Sequence, residues 1–159
     1  MKKIFSVSVE NRSGVLSKVA GLFSRRAYNI ESLTVGETHD PTISNMTIVS
    51  SGSGHDLEQI EKQLNKKLDV IKVRTFKEEE AVSREVIFVK LKYSASDRSN
   101  IIEICQICKA EIVDSTDTGL ILLLCDTPDR VDKFIDMLKR FNIVELSRTG
   151  TLAMKKFQS

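Results

Sequence analysis

The sequence predicts an α+β protein made of two tandem ferredoxin-like units, each with the element order βαββαβ. Alternating apolar and polar residues mark the strands, and apolar residues at helical spacing mark the helices between them. The same order of elements then occurs a second time along the 159 residues. Each unit is therefore expected to form a four-stranded antiparallel sheet with two helices on one face.

The first unit is predicted over residues 1–77. Its opening strand is indicated by Phe5, Val7 and Val9, which alternate with serines. The elements predicted for this unit are a strand over 4–9, a helix from Val15 to about Arg26, strands over 30–37 and 43–50, a helix marked by Leu57, Ile60, Leu64 and Leu68, and a strand over 70–76.

The second unit is predicted over residues 84–159, after the acidic run Glu78-Glu79-Glu80, which looks like a solvated linker. Its predicted elements are a strand over 86–93, a helix marked by Ile101, Ile104, Cys105 and Cys108, strands over 111–115 and 120–125, a helix capped by Thr127 with Pro128 at its first position, and a closing strand over 143–154. Because one face of each sheet carries no helix, we expect a homodimer.

Composition excludes several classes of protein. The net charge is only +2 and the strand over 42–50 has no aromatic residue, which argues against an RNA- or DNA-binding module. The longest apolar run, Leu120–Cys125, is too short to cross a membrane. Three cysteines without a signal-peptide pattern suggest reduced thiols and a cytoplasmic protein.

No catalytic or metal-binding constellation is predicted. The two histidines lie outside any nucleophile or metal-ligand pattern, and there is no phosphate-binding loop. The pair Cys105 and Cys108 has a C-x-x-C spacing, so a thiol redox protein remains an alternative. Both cysteines lie on the apolar face of a helix, whereas redox cysteines sit at helix N-termini, which favours a packing role.

The segment Glu10–Leu16 carries the strongest local signal. A strand ends, a turn with Gly14 follows, and a helix begins at once. The N–H groups at a helix start can bind a carboxylate, and a glycine lets the carboxylate come close. Asn11 adds an amide that can accept from an ammonium or donate to a carboxylate. Such junctions also use Asn, Ser and Gly simply as caps, and this segment alone leaves both interpretations open.

The second half offers an internal comparison. Its equivalent turn reads Asp97-Arg98-Ser99-Asn100, with Asn100 at the position of Gly14 and Asp97 at the position of Asn11. A carboxylate would there meet a side chain and a like charge. The first unit is therefore the expected site if either unit binds an amino acid.

Together, Glu10–Leu16 and the segment Tyr-Asn-Ile-Glu-Ser-Leu-Thr-Val at 28–35 resemble the ACT domain of acetolactate synthase (acetohydroxyacid synthase) small subunits. Further similarity lies at 40–42, 46–48 and 57–64, and 144–150 resembles the closing strand of the family. Ala27 stands where the family usually has glycine, and Arg12 is less usual at its position.

The resemblance implies a regulatory subunit without an active site or metal site of its own, which forms a homodimer and binds valine, leucine or isoleucine between its ACT domains. Its partner would be the large catalytic subunit, which would carry the thiamine diphosphate, Mg²⁺ and FAD. A free-standing ACT sensor that acts on another partner is the alternative. The residues implied for the effector site are Asn11, Gly14, Val15 and Leu16 of one chain and Asn29 and Ile30 of the other.

Overall fold

The computed structural model describes residues 1–26 and 28–158. The chain divides into two compact units, one of residues 1–82 together with 151–158, and one of residues 83–150. The elements in chain order are β1 (Lys2–Glu10), α1 (Val15–Arg25), β2 (Ile30–Glu37), β3 (Ile43–Ser51), α2 (Gly54–Asn65), β4 (Val70–Phe76), β5 (Ala81–Lys92), α3 (Arg98–Cys108), β6 (Glu111–Ser115), β7 (Gly119–Asp126), α4 (Pro128–Leu138), β8 (Asn142–Arg148) and β9 (Leu152–Lys155).

The first unit forms an antiparallel sheet in the order β2-β3-β1-β4. Phe5, Val7 and Val9 of β1 are all buried on the face that α1 and α2 cover. The ring of Phe5 meets the ring of Phe23 edge to face, with centroids 5.9 Å apart. The alternation in β1 thus produces the core that holds α1 against the sheet, and β2 is left at an edge.

The opposite face of this sheet has a small apolar cluster of its own. Its members are Ile4, Val49, Phe76, Ala81 and Ala153. Ala153 comes from β9, and the backbone N–H of Thr151 donates to Oγ of Ser32 over 3.0 Å. β9 and the residues beside it therefore cover part of the sheet face that is opposite α1 and α2.

The ending of the chain differs from the prediction. We expected one strand over 143–154 within a second domain of 84–159, but β8 ends at Arg148 and residues 151–158 belong to the first unit. Gly150 separates β8 from β9 with a φ of 84°, a left-handed conformation that a strand cannot contain. Hydrophobic alternation continues across this break, which is why the pattern did not reveal it.

The second unit has strands in the order β6-β7-β5-β8, and β9 pairs with β5, which begins in the first unit. β5 starts at Ala81, five residues before the predicted strand. Thr127 caps α4 as predicted: its hydroxyl accepts from the N–H of Arg130, and Pro128 is the first helical residue. The predicted α+β class, with two tandem ferredoxin-like units, is confirmed.

Replacing Phe23 by alanine should destabilise the first unit. The ring is completely buried against Phe5, so its removal leaves a cavity and lowers the free energy of unfolding by about 3–5 kcal/mol. Urea denaturation followed by circular dichroism measures this change. Phe157→Ala is the control, because that side chain is fully exposed and its loss should change stability by less than about 0.5 kcal/mol. Equal effects of the two substitutions would contradict this packing.

Candidate functional site

The turn between β1 and α1 favours a glycine. Gly14 precedes α1 with φ 84° and ψ −12°, in the left-handed region that L side chains rarely adopt. Apart from its chain neighbours, no heavy atom of the described residues would lie within 4 Å of a Cβ built at this position. The glycine therefore serves the backbone conformation, and the space beside it is open.

The N-terminus of α1 has no side-chain cap. In contrast, Ser53 accepts a hydrogen bond from the first turn of α2, and Thr127 does the same for α4. The first helical hydrogen bond of α1 runs from the N–H of Lys18 to the carbonyl of Gly14, over 3.1 Å. Within the described residues, the N–H groups of Leu16 and Ser17 have no acceptor, so they can bind an anion.

Asn11 is anchored to the hairpin between β2 and β3. Its side-chain Nδ2 donates to Oε1 of Glu37 over 3.0 Å and to the carbonyl of Pro41 over 2.8 Å, and its backbone N–H donates to the carbonyl of Thr42. Both amide hydrogens are thereby used, and the side-chain oxygen remains. Asn11 can accept a hydrogen bond from an ammonium, whereas the predicted donation to a carboxylate is not open to it in this conformation.

A charged network fixes the other side of the turn. Arg12 forms ion pairs with Glu10 and, over 2.6 Å, with Oδ1 of Asp69, and Lys18 reaches Oδ2 of Asp69 over 2.9 Å. The hydrogen bond from Lys18, and the charges of Lys18 and Arg12, hold the pKa of Asp69 below its usual value. The sequence did not reveal the role of Asp69, and it showed Arg12 only as an unusual residue at its position in the family pattern.

The remaining predicted residues divide between two ends of the sheet. Val15 is buried in the core, so only its backbone faces the turn, whereas the side chain of Leu16 is 43% exposed. Ile30 pairs with Ser50 of β3, and Ser50 pairs with Lys3 near the start of β1. Lys3 is seven residues from Glu10, where β1 ends and the turn begins. At roughly 3.3 Å per residue this separation is about 23 Å.

The structure thus brings Asn11, Gly14, Val15 and Leu16 together at one end, and leaves Asn29 and Ile30 of the same chain at the other. Asn29 is exposed, and its carbonyl accepts from Oγ of Ser50. Ala27, the departure from the family pattern, lies outside the described residues.

The turn in the second unit has a different shape from the one at Gly14. α3 begins at Arg98 with Asp97 as its cap residue, so Asn100 lies inside the first helical turn. The predicted equivalence of Asn100 with Gly14 is therefore wrong. No left-handed residue precedes α3, since Asp97 has φ −92° and ψ −17°.

The surroundings of Cys105 and Cys108 do not favour a reactive pair. Cys105 is 3% exposed within the second core, and burial is the main factor that raises the pKa of its thiol to about 11. Burial, together with the charge of Asp126, also raises the pKa of Cys108. Redox cysteines need a lowered pKa, so this environment argues against the thiol redox alternative.

Within residues 1–26 and 28–158, no group of three or more His, Cys, Asp or Glu side chains is placed to hold a metal ion. No helix within these residues has the length and apolar character needed to span a membrane.

Family models match both halves of the chain. Residues 5–72 match the AHAS small subunit-like ACT domain, and residues 84–156 match the model described as the small subunit of acetolactate synthase. The chain belongs to the acetolactate synthase small subunit family. An ACT domain fits a regulatory role for members of this family.

Relatives in this family align over nearly their whole length. The acetolactate synthase small subunit of Haemophilus influenzae is 45% identical, with 98% of this chain and 96% of that protein covered. A probable acetolactate synthase small subunit of Methanothermobacter thermautotrophicus is 46% identical over 96% of this chain and 92% of that protein. The crystal structure of the acetolactate synthase small subunit of Thermotoga maritima superposes with a TM-score of 0.93 at 34% identity, covering 100% of this chain and 99% of that one.

Asp69→Asn should lower the stability of the fold at neutral pH and leave it unchanged at low pH. The pKa of Asp69 is lowered in the folded state, so its ionised form stabilises the fold above the unfolded pKa of about 3.9, and this stabilisation is lost as the pH falls through the lower folded value. Urea midpoints of the wild type and the variant should differ at pH 7 and converge towards pH 2.

The control for this comparison is Asp117→Asn, which removes a turn carboxylate that has no ion pair within the described residues. Its urea midpoint should follow that of the wild type at every pH. A difference between the wild type and Asp69→Asn that persisted unchanged at pH 2 would contradict the role given to the ionised Asp69.

Proposed function

We propose that this chain is a non-catalytic regulatory subunit that binds a branched-chain amino acid between two copies of its first unit and controls a catalytic acetolactate synthase subunit. Thiamine diphosphate, Mg²⁺ and FAD would belong to that catalytic partner, and the complex would act in the cytoplasm. Full-length similarity to proteins named as small subunits supports the presence of such a partner.

The uncapped start of α1 beside Gly14 is the observation that carries the proposal. The carboxylate of an amino acid would accept hydrogen bonds from the free N–H groups of Leu16 and Ser17, where the helix dipole also favours a negative charge. The remaining amide oxygen of Asn11 would accept from the ligand ammonium. A zwitterion therefore finds donors and an acceptor at one turn.

A second copy would complete the site. β2 is an edge strand of its sheet, and its Val35 side chain is 45% exposed. If two β2 edges pair antiparallel around a two-fold axis, the Gly14 end of one chain meets the Asn29 end of the other. Within one chain, Ile30 and the Gly14 turn are about 23 Å apart and cannot bind the same ligand, so a site that uses both must take one from each chain.

The aliphatic side chain of the ligand would contact the exposed Leu16 of one chain and Ile30 of its partner. An apolar surface of this kind distinguishes ligands that differ by one methylene by only about 1–3 kcal/mol. We therefore expect valine, leucine and isoleucine all to bind, with affinities that differ within that range.

Regulation would follow from unequal binding to two dimer geometries. A ligand that bridges two chains stabilises the geometry in which both halves of the site meet. Its effect on the catalytic partner cannot exceed the difference in its affinity for the two geometries. The free-standing ACT sensor is less favoured, because the family match includes residues 84–156 as well as the ACT domain.

Gly14→Asp should remove valine binding and leave the fold intact. Aspartate tolerates the left-handed conformation better than most residues, and its side chain would enter open space. Its charge would lie beside the ligand carboxylate, where like charges about 4 Å apart repel strongly, so the dissociation constant should rise at least about 100-fold. Isothermal titration calorimetry with valine, and circular dichroism of the same samples, measure the two effects.

Gly14→Asn is the matched variant, because asparagine has the same shape without the charge. It should bind valine more weakly than the wild type but at least about tenfold more tightly than Gly14→Asp. Unchanged valine binding in Gly14→Asp would refute this assignment of the site. A loss of circular dichroism signal in Gly14→Asp alone would show that the substitution acts on the fold.

A further inference from the structure

A surface depression of about 520 Å³ lies in the second unit. This volume is within the range of sites that bind small molecules. The residues that line it are Lys92, Tyr93, Ser94, Asp97, Thr118, Arg140, Phe141 and Asn142. All of them belong to residues 83–150, and none is used by the proposed effector site.

The depression occupies the place in the second unit that the Gly14 turn occupies in the first. Both lie where the first strand ends, beside the hairpin of the middle strands and the start of the last strand. The N–H of Tyr93 donates to the carbonyl of Thr118 over 2.9 Å, as the N–H of Asn11 donates to the carbonyl of Thr42 over 2.8 Å. The two units thus share a frame, but their surfaces differ.

The charges at these two places are arranged differently. In the first unit Arg12 is paired with Glu10 and Asp69, and Lys18 is paired with Asp69. In the second unit neither Lys92 nor Arg140 forms an ion pair with any residue that the structure describes. Two cations without carboxylate partners therefore border one depression.

An aromatic side chain holds one of these cations in place. The guanidinium of Arg140 lies 4.7 Å from the centre of the Phe141 ring, a cation–π contact that restricts its orientation. Tyr93 is fixed as well, because its hydroxyl donates to the carbonyl of Thr116 over 2.9 Å. The wall thus combines ordered aromatic rings with positive charge.

A single acid is part of the lining. Asp97 accepts a hydrogen bond from Oγ of Ser94 over 3.1 Å, which directs its carboxylate towards its own turn. Lys92 and Arg140 carry two positive charges against the one negative charge of Asp97, so the lining has an excess of one positive charge. This excess attracts an anionic ligand, and a single carboxylate is enough to balance it.

From the depression, its two unpaired cations and its aromatic wall, we propose a second small-molecule site in this chain, for a monocarboxylate with a flat apolar body. The carboxylate binds Lys92 and Arg140, and the apolar body lies against Tyr93 and Phe141. Because the depression is open to solvent, we expect a small ligand such as benzoate, with about nine non-hydrogen atoms, to bind with a dissociation constant on the order of 1 mM.

Benzoate is the probe, and benzamide is its uncharged counterpart. We expect benzoate to shift the backbone amide signals of Tyr93, Ser94, Thr118 and Asn142 in nuclear magnetic resonance spectra of the full chain, in a saturable manner. Benzamide should shift them at least about fivefold less at equal concentration, because it lacks the charge that the two cations attract. Equal shifts with both probes would overturn the inference.

Arg140→Gln and Lys92→Gln should each weaken benzoate binding about fivefold or more. The matched control is Lys139→Gln, a neighbouring cation that is paired with Asp136 over 2.7 Å and does not line the depression. It should bind benzoate as the wild type does. Equal losses in all three variants would overturn the inference, since they would indicate a general effect of positive charge.

The position of the shifts separates this site from the proposed effector site. Benzoate shifts confined to the amides of Gly14, Leu16 and Ser17 would place the anion at the first unit and overturn the inference. Conversely, saturable shifts around the depression in a Gly14→Asp chain would support it even if valine binding is lost. The two proposals therefore fail independently.

Discussion

The left-handed backbone at Gly14 is the constraint on which the start of α1 depends. The chain must turn from β1 into a helix whose Val15 side chain enters the core, and the turn uses a φ of 84°. Glycine adopts this conformation without strain, but it has no side chain with which to cap the helix. The residue that makes the turn possible therefore also leaves the first N–H groups of α1 without a side-chain cap, and the proposed carboxylate site depends on this.

The surroundings of this turn hold it in one position from three sides. Val15 anchors it to the core, Asn11 binds the hairpin at Glu37 and Pro41, and Arg12 is paired with Asp69. A turn fixed in this way would need little rearrangement to bind the proposed carboxylate, which would limit the entropy lost by the protein. The antiparallel order of the sheet places Asn29 at the far end, so the proposed site needs a second copy.

Local patterns in the sequence were sufficient for most of the fold. Alternation and helical spacing located the helices and nearly all strands, and Thr127 with Pro128 marked the start of α4. Contacts between distant residues were not accessible in this way. Asp69 joins Arg12 across 57 positions, and Ala153 enters the first unit after a break at Gly150 that leaves the alternation intact. The prediction for Asn100 was wrong because the similar sequence Asp97–Asn100 begins its helix at Arg98, three residues earlier than the alignment with Gly14 implied.

A mixed-dimer experiment shows whether two chains share the proposed effector site. Gly14→Asp and Asn29→Ala chains, each expected to bind valine poorly alone, are mixed, unfolded and refolded together, and valine binding is measured by calorimetry. In a mixed dimer one site receives both substitutions and the other receives neither, so we expect valine binding to return at one site per mixed dimer. A mixture that binds no more valine than the separate variants would contradict it.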